Sequence, residues 1–345
     1  MPDRRYAINV ARREQRFFEE VTETGRKISD TLPDVEIVLG GPMDADANRQ
    51  IEELEALIAR KVSGIILFPA NSENLAPTVN RAAARGIPVI TLFSDVKDCR
   101  RLTLIGGPER ESAREIARRT FQEHREFEVG PTKVLVSSNR PGESVTDERL
   151  DGIDDVLKEY KNVQILPFVN DEGDSKKGAA AIGSVLQDNP DIRVIFGLNA
   201  RSAIGAVAAL MEGRDHNGKA YHAGDVVVTG WDNDDDVLDA IEGGWIESTS
   251  VLHSSLCTQI AFGLLDASSL GYLYPDNLQL REFAFPAVPD KILIPETLVD
   301  RKSVNGYRRK KNVFSVARKI GSVKPGRRSA AAEDSQSTIA KEKRP

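Results

Sequence analysis

Between Gln50 and Asp95 the apolar positions follow two alternating patterns. Ile51, Leu54, Leu57 and Ile58 recur at three- and four-residue steps, the spacing of one helix face. The next apolar stretch, Gly64-Ile-Ile-Leu-Phe-Pro69, is continuous, short and closed by a breaker. That predicts a strand covered on both faces, as in a parallel sheet. After a second helical stretch, Gly86-Ile-Pro-Val-Ile-Thr-Leu-Phe93 repeats the strand pattern, with Gly86 at a helix C-cap. The two strands end in Phe68 and in Phe93-Ser94-Asp95. Open α/β sheets bind ligands at the carboxyl ends of their strands, so the segment predicts a fold and the place of a site.

The alternation extends along most of the chain. Strands are expected at 6–10, 35–39, 65–68, 89–93 and 102–105, with helices at 17–32 and 111–126. The pattern then restarts, with strands at 133–137, 163–168, 192–198 and 226–229 and helices at 146–160, 176–187 and 200–212. Asp174 or Ser175 suits the cap of the 176–187 helix. Carboxylates from Asp232 to Asp236 crowd the start of a further helix after the strand at 226–229. The fold class is α/β, with two doubly wound parallel-sheet lobes and a cleft between them.

Composition narrows the class. A chain of 345 residues suits two domains, and 40% apolar with 29% charged residues is a globular balance. No apolar run approaches the ~18 residues of a membrane span. Cys99 and Cys257 read as two buried thiols rather than a bridge. The opening MPDRRYAINV has no apolar core of a signal peptide, which taken at face value predicts a chain that is not exported. Net charge is −6, but residues 306–345 hold 12 Lys/Arg against 3 Asp/Glu, so the remainder carries −15. An acidic body argues against nucleic-acid binding by the folded part. The basic stretch 306–345 lacks an apolar face and is expected to be mostly disordered.

Several motifs in order then resemble a known family. They are Arg16-Phe-Phe18 after the first strand, Gly86-Ile-Pro-Val-Ile-Thr, Glu148-Arg-Leu-Asp-Gly152, and Asn189-Pro-Asp-Ile-Arg-Val-Ile-Phe196 followed by Asn199 and Ala203-Ile-Gly-Ala206. Val228-Thr-Gly-Trp-Asp232, Gly244-Trp-Ile-Glu-Ser-Thr249 and Pro295-Glu-Thr-Leu-Val299 complete the set. From about Tyr6 to Tyr307 the chain resembles the sugar-binding proteins of bacterial ABC importers, of the ribose-binding type. Those share their fold with the ligand domain of lac-repressor-type regulators. The resemblance implies three crossings between lobes. The N-terminal lobe would be 5–108 plus 253–282, and the C-terminal lobe 109–252 plus 283–305. It also implies a small sugar or related polar ligand, a membrane permease as partner, no cofactor, and the periplasm or cell envelope as location.

Carried over residue by residue, the resemblance places polar ligand contacts on Arg149, Asn199 and Asp232. Arg offers fixed donors, Asp accepts from hydroxyls, and Asn does both. The bland readings are an exposed Arg149 paired with Asp147 or Asp151, a capping Asn199, and an Asp232 that caps a helix. The first lobe departs from the family. Phe93 and Phe68 stand where relatives present polar groups, Gln15 where they have Asn or Asp, and Leu252 or His253 where they offer Gln. Phe17, Phe68, Phe93 and Trp231 therefore join the candidate site as aromatic surface for sugar C–H faces, while Phe18 reads as core. Ser94 and Asp95 supply polarity beside Phe93. The set argues against ribose itself and predicts a less polar, deoxy or substituted sugar, or a different small polar ligand.

Two other classes compete. An enzyme finds little support: His124, His216, His222 and His253 show no HExxH spacing, and there is no CxxC, GxSxG or GxxxxGK[ST]. The Asp232-Asn-Asp-Asp-Asp236 run lacks the Gly and Glu of a calcium loop. The other competitor is an intracellular ligand-sensing regulator of the same fold without its own DNA-binding domain, which a cytoplasmic location would favour.

Overall fold

The computed structural model describes residues 4–13, 16–139, 143–273 and 288–311. The chain divides into one compact unit, Met1–Lys302, and a second that begins at Ser303. Of the second, 303–311 is described, with a helix over 304–311. Most of the 306–345 segment therefore lies outside the described residues. Among the described residues no helix is long and apolar enough to cross a membrane.

The first sheet uses β1 (Arg4–Asn9), β2 (Val35–Gly40), β3 (Gly64–Leu67), β4 (Val89–Leu92), β5 (Thr103–Gly106) and β12 (Lys291–Leu293). Their order is β12-β5-β4-β3-β1-β2, and every pairing is parallel. β3 is buried at all four positions, as its unbroken apolar run predicts. Alternate residues serve the two faces. Tyr6, Ile8, Ile66 and Ile90 join one core with Phe262 and Leu265, while Ala7, Ile65, Leu67 and Val89 join another with Leu54 and Ile58. The second of these helical partners is α2 (Ala47–Ala59), capped by Asp46, whose carboxylate accepts from Asn48 N at 2.8 Å and Arg49 N at 3.3 Å. Helices α1 (Arg16–Thr31) and α10 (Ser254–Ser269) pack together against the opposite face.

The second sheet uses β6 (Thr132–Ser138), β7 (Val163–Ile165), β9 (Ile192–Gly197), β10 (Val227–Trp231), β11 (Ser248–Val251) and β13 (Thr297–Asp300), with β8 (Val169–Asn170) on the same edge as β7. All pairings are parallel except β11 with β13. Helices α4 (Glu109–Glu123) and α6 (Ser144–Leu157) cover one face. Helices α7 (Ser175–Asp188) and α8 (Ala200–Glu212) pack as a second pair. Asp174 caps α7, accepting from Lys176 N and Lys177 N at 2.8 and 3.1 Å.

Three crossings join the sheets: β5 into α4, β11 into α10, and β12 into β13. The third differs from expectation. Residues 283–305 are expected in the second lobe, but β12 pairs with β5 in the first sheet, and Ile294 N donates to Gly106 O at 2.8 Å. Three-residue β12 carries too weak a strand signal to reveal its partner. The cysteines are free thiols; Cys257 is buried, while Cys99 is only half-buried.

Candidate functional site

The carboxyl ends of the strands supply the candidate residues. At the exit of β3, the buried amide of Gln50 donates to Asn9 Oδ1 and to Phe68 O, both at 2.9 Å, and accepts from Ala70 N at 2.7 Å. This fastens the loop that carries Phe68. The Phe68 ring lies 4.8 Å from that of Phe18 and 5.7 Å from that of Phe93. Phe93 leaves β4 with a left-handed backbone (φ 63°) and donates its N–H to Ile105 O at 2.8 Å. A phenylalanine holds that conformation only where the surroundings impose it. Phe18 is core, as expected. Gln15 lies outside the described residues, and Phe17 falls in α1 with a side chain outside them.

Arg149 is not an exposed helix arginine. It is 7% exposed, and its Nε donates to Glu109 Oε2 at 2.6 Å while Nη1 donates to Leu198 O at 2.6 Å. Its guanidinium carbon sits 4.8 Å above the Trp231 ring, a cation–π stack inside the protein. Trp231 is 1% exposed, and its Nε1 has no acceptor among the described residues. Three fixed contacts thus aim the planar fork of Arg149.

Asp232 follows β10, also with a left-handed backbone (φ 73°). Its Oδ2 accepts from Ala200 N at 3.2 Å, so it serves the N-terminus of α8 rather than the helix of its own acidic run. Burial pushes its carboxyl up to about 6, against the pull of Arg149 and with a push from Asp234. Asn199 caps α8 through Ser202 N at 2.9 Å, and its amide donates to Asn139 Oδ1 at 2.7 Å. Arg149, Trp231 and Asp232 therefore form one cluster, and Asn199 joins it at the start of α8.

The lobes meet beside this cluster. The hydroxyls of Ser94 and Ser144 lie 2.9 Å apart, and Ser144 Oγ also accepts from Asp95 N at 2.9 Å. Ser144 N reaches Ser72 Oγ at 3.4 Å. Ser94 thus bridges the lobes. The Asp95 carboxylate is paired with Arg101 at 2.5 and 2.6 Å. A cavity of about 170 Å³ lies where the lobes face each other, lined by Phe93, Gly107, Glu109, Ser144, Glu148 and Lys291 among others.

Sequence reasoning missed Glu109, Ser144 and Glu296. Glu109 is 2% exposed, and burial pushes its carboxyl up to about 7 against the pull of Arg149. The available signal was the Gly106-Gly-Pro-Glu109 punctuation at a strand exit, which marks a chain crossing. Among the described residues no group of three or more His, Cys, Asp or Glu is placed to hold a metal.

A profile of the periplasmic binding protein domain family matches residues 6–267. The ribose import binding protein of Bacillus subtilis is 26% identical over 217 residues, 63% of this chain and 66% of that protein. The D-apiose import binding protein of Actinobacillus succinogenes is 28% identical over 210 residues, 60% of this chain and 64% of that protein. The chain thus spans just under two thirds of the length of these two relatives. An ABC transporter solute-binding protein from Agrobacterium vitis, solved with bound D-fucose, superposes with a TM-score of 0.75 at 22% identity. That match covers 87% of this chain and 96% of the other.

Proposed function

Because the chain belongs to the periplasmic binding protein domain family, we propose that it captures a small sugar between its lobes for an ABC-type importer. The observation that carries the reading is Arg149: buried, oriented by Glu109, Leu198 and Trp231, and set beside Asp232 where the lobes meet. Arg149 donates to ring hydroxyls and Asp232 accepts from them. Asn199 adds a donor or acceptor, and Trp231, Phe93 and Phe68 receive apolar C–H faces. Import binding proteins for ribose and D-apiose among the relatives support the ligand class. Phe68 and Phe93 favour a sugar with one apolar edge.

Function here is binding followed by hinge closure at the three crossings. The closed form is what a membrane permease reads, and the protein works in the periplasm or cell envelope. A thermal-shift panel of D-ribose, D-allose, D-apiose, D-arabinose and D-fucose tests the capture. A sugar at a hundredfold its Kd stabilises by about 2.7 kcal/mol, a Tm rise of several degrees. Arg149→Ala should abolish that rise; an undiminished rise removes Arg149 from the site. Fractionation of the native cells tests the location, and recovery from the cytosol would count against import.

A further inference from the structure

Two carboxylates meet where the chain crosses between lobes. Glu109 opens α4 just after the first crossing, and Glu296 lies within the third, between β12 and β13. Glu109 Oε2 is taken by Arg149, and Glu296 Oε2 accepts from the Ser250 hydroxyl. Their other oxygens, Oε1 of each, are buried and have no donor among the described residues. Both converge on Gly107. A Cβ there would stand 3.0 Å from Glu109 Oε1 and would be driven into Glu296 Oε1. Only a glycine at 107 leaves room for both carboxylate oxygens.

Two ionised carboxylates in one buried place repel, and neither Oε1 finds a donor among the described residues. We propose that Glu109 and Glu296 hold one proton between them, and that this proton links ligand capture at Arg149 to pH. The second half rests on the sugar-capture reading of Arg149. The proton comes from solvent and rests on the Glu109 carboxyl, leaving one negative charge on the pair. Glu109 then keeps Oε2 for Arg149. With the proton lost, Glu296 repels Glu109 and the anchor of Arg149 loosens.

The neighbours are accounted for. Arg149 and Glu148 face Glu109 from α6, Glu296 from the third crossing. Asp232 acts on Arg149 from the end of β10. On α10, the buried Cys257 thiol is held up at about 12, first by its own burial and then by Glu109 and Glu296. Glu109 titrates at about 7 in the folded chain against 4.5 otherwise. A raised carboxyl contributes stability that is fully present below pH 4.5 and lost as pH rises through about 7.

The test is thermal unfolding of the full chain without sugar, from about pH 5 to about pH 8. Wild type should lose about 5 °C over that range, and Glu296→Gln should cut the loss by half or more and exceed wild type at the alkaline end. A Glu296→Gln curve parallel to wild type overturns the shared proton. Should that variant fail to fold, Glu109→Gln must show the same flattening, and a parallel curve there overturns the proposal equally. The five sugars are then added at the acid and alkaline ends. The wild-type sugar shift should shrink at the alkaline end, and that of Glu296→Gln should not. If no sugar shifts wild type while its pH slope stands, the capture reading falls and the proton pair survives.

Discussion

At the scale of single residues, two candidate positions carry unusual backbone. Phe93 and Asp232 each follow a strand with positive φ, one in either lobe. Conformations of this kind cost about 1–3 kcal/mol and persist where the surroundings hold them, often at binding sites. Asp232 offers a direct test. Its carboxyl is raised from 3.8 to about 6 by burial. The stability it contributes is fully present below pH 3.8 and disappears as pH climbs through about 6. Asp232→Asn should therefore be less sensitive to pH than wild type between about 4 and 6, read from urea midpoints at each pH. The residue types at Arg149, Asn199 and Asp232 were legible because each stands in a local motif after a strand or in a helix. Their partners were not. Glu109 and Glu296 are separated by most of the second lobe, and no local spacing announces that they converge on Gly107.

At the scale of elements, periodicity was a good guide. The unbroken run at β3 and the cap at Asp174 appear as read. β12 was misplaced because a three-residue edge strand has no periodicity to read. The α4–α6 pair shows how tightly elements set the site, since Glu109 and Arg149 lie one on each helix. Gly152 permits their approach: a Cβ there would meet the Arg110 carbonyl and come within 2.7 Å of Ala113 Cβ. Gly152→Ala should cost about 1–3 kcal/mol, as overpacking does, seen as a lower urea midpoint. It should also weaken sugar-dependent stabilisation by shifting Arg149 from Glu109. Asp174→Ala, far from that pair, should cost about 1 kcal/mol as a lost cap and leave sugar binding alone.

At the scale of the whole molecule, Ser144 is the contact that matters most. It joins Ser72, Ser94 and Asp95 of one lobe to the first turn of α6 in the other. Removing those bonds with Ser144→Ala should shift the population toward an open form. Small-angle scattering without sugar should then report a larger radius of gyration, and an unchanged radius would show that the bridge does not hold the lobes. The crossings have one further consequence. Because β12 and β13 are separated by only Ile294, Pro295 and Glu296, each sheet receives its last edge strand within the same few residues. During synthesis neither lobe is whole until the ribosome has passed residue 300. The first lobe, though its earliest strand emerges at the outset, must wait with an uncovered β5 edge from Gly106 to Lys291, more than half of the chain. The two lobes are thus finished together rather than in turn, and the long-exposed edge of β5 is where a nascent chain would pair wrongly.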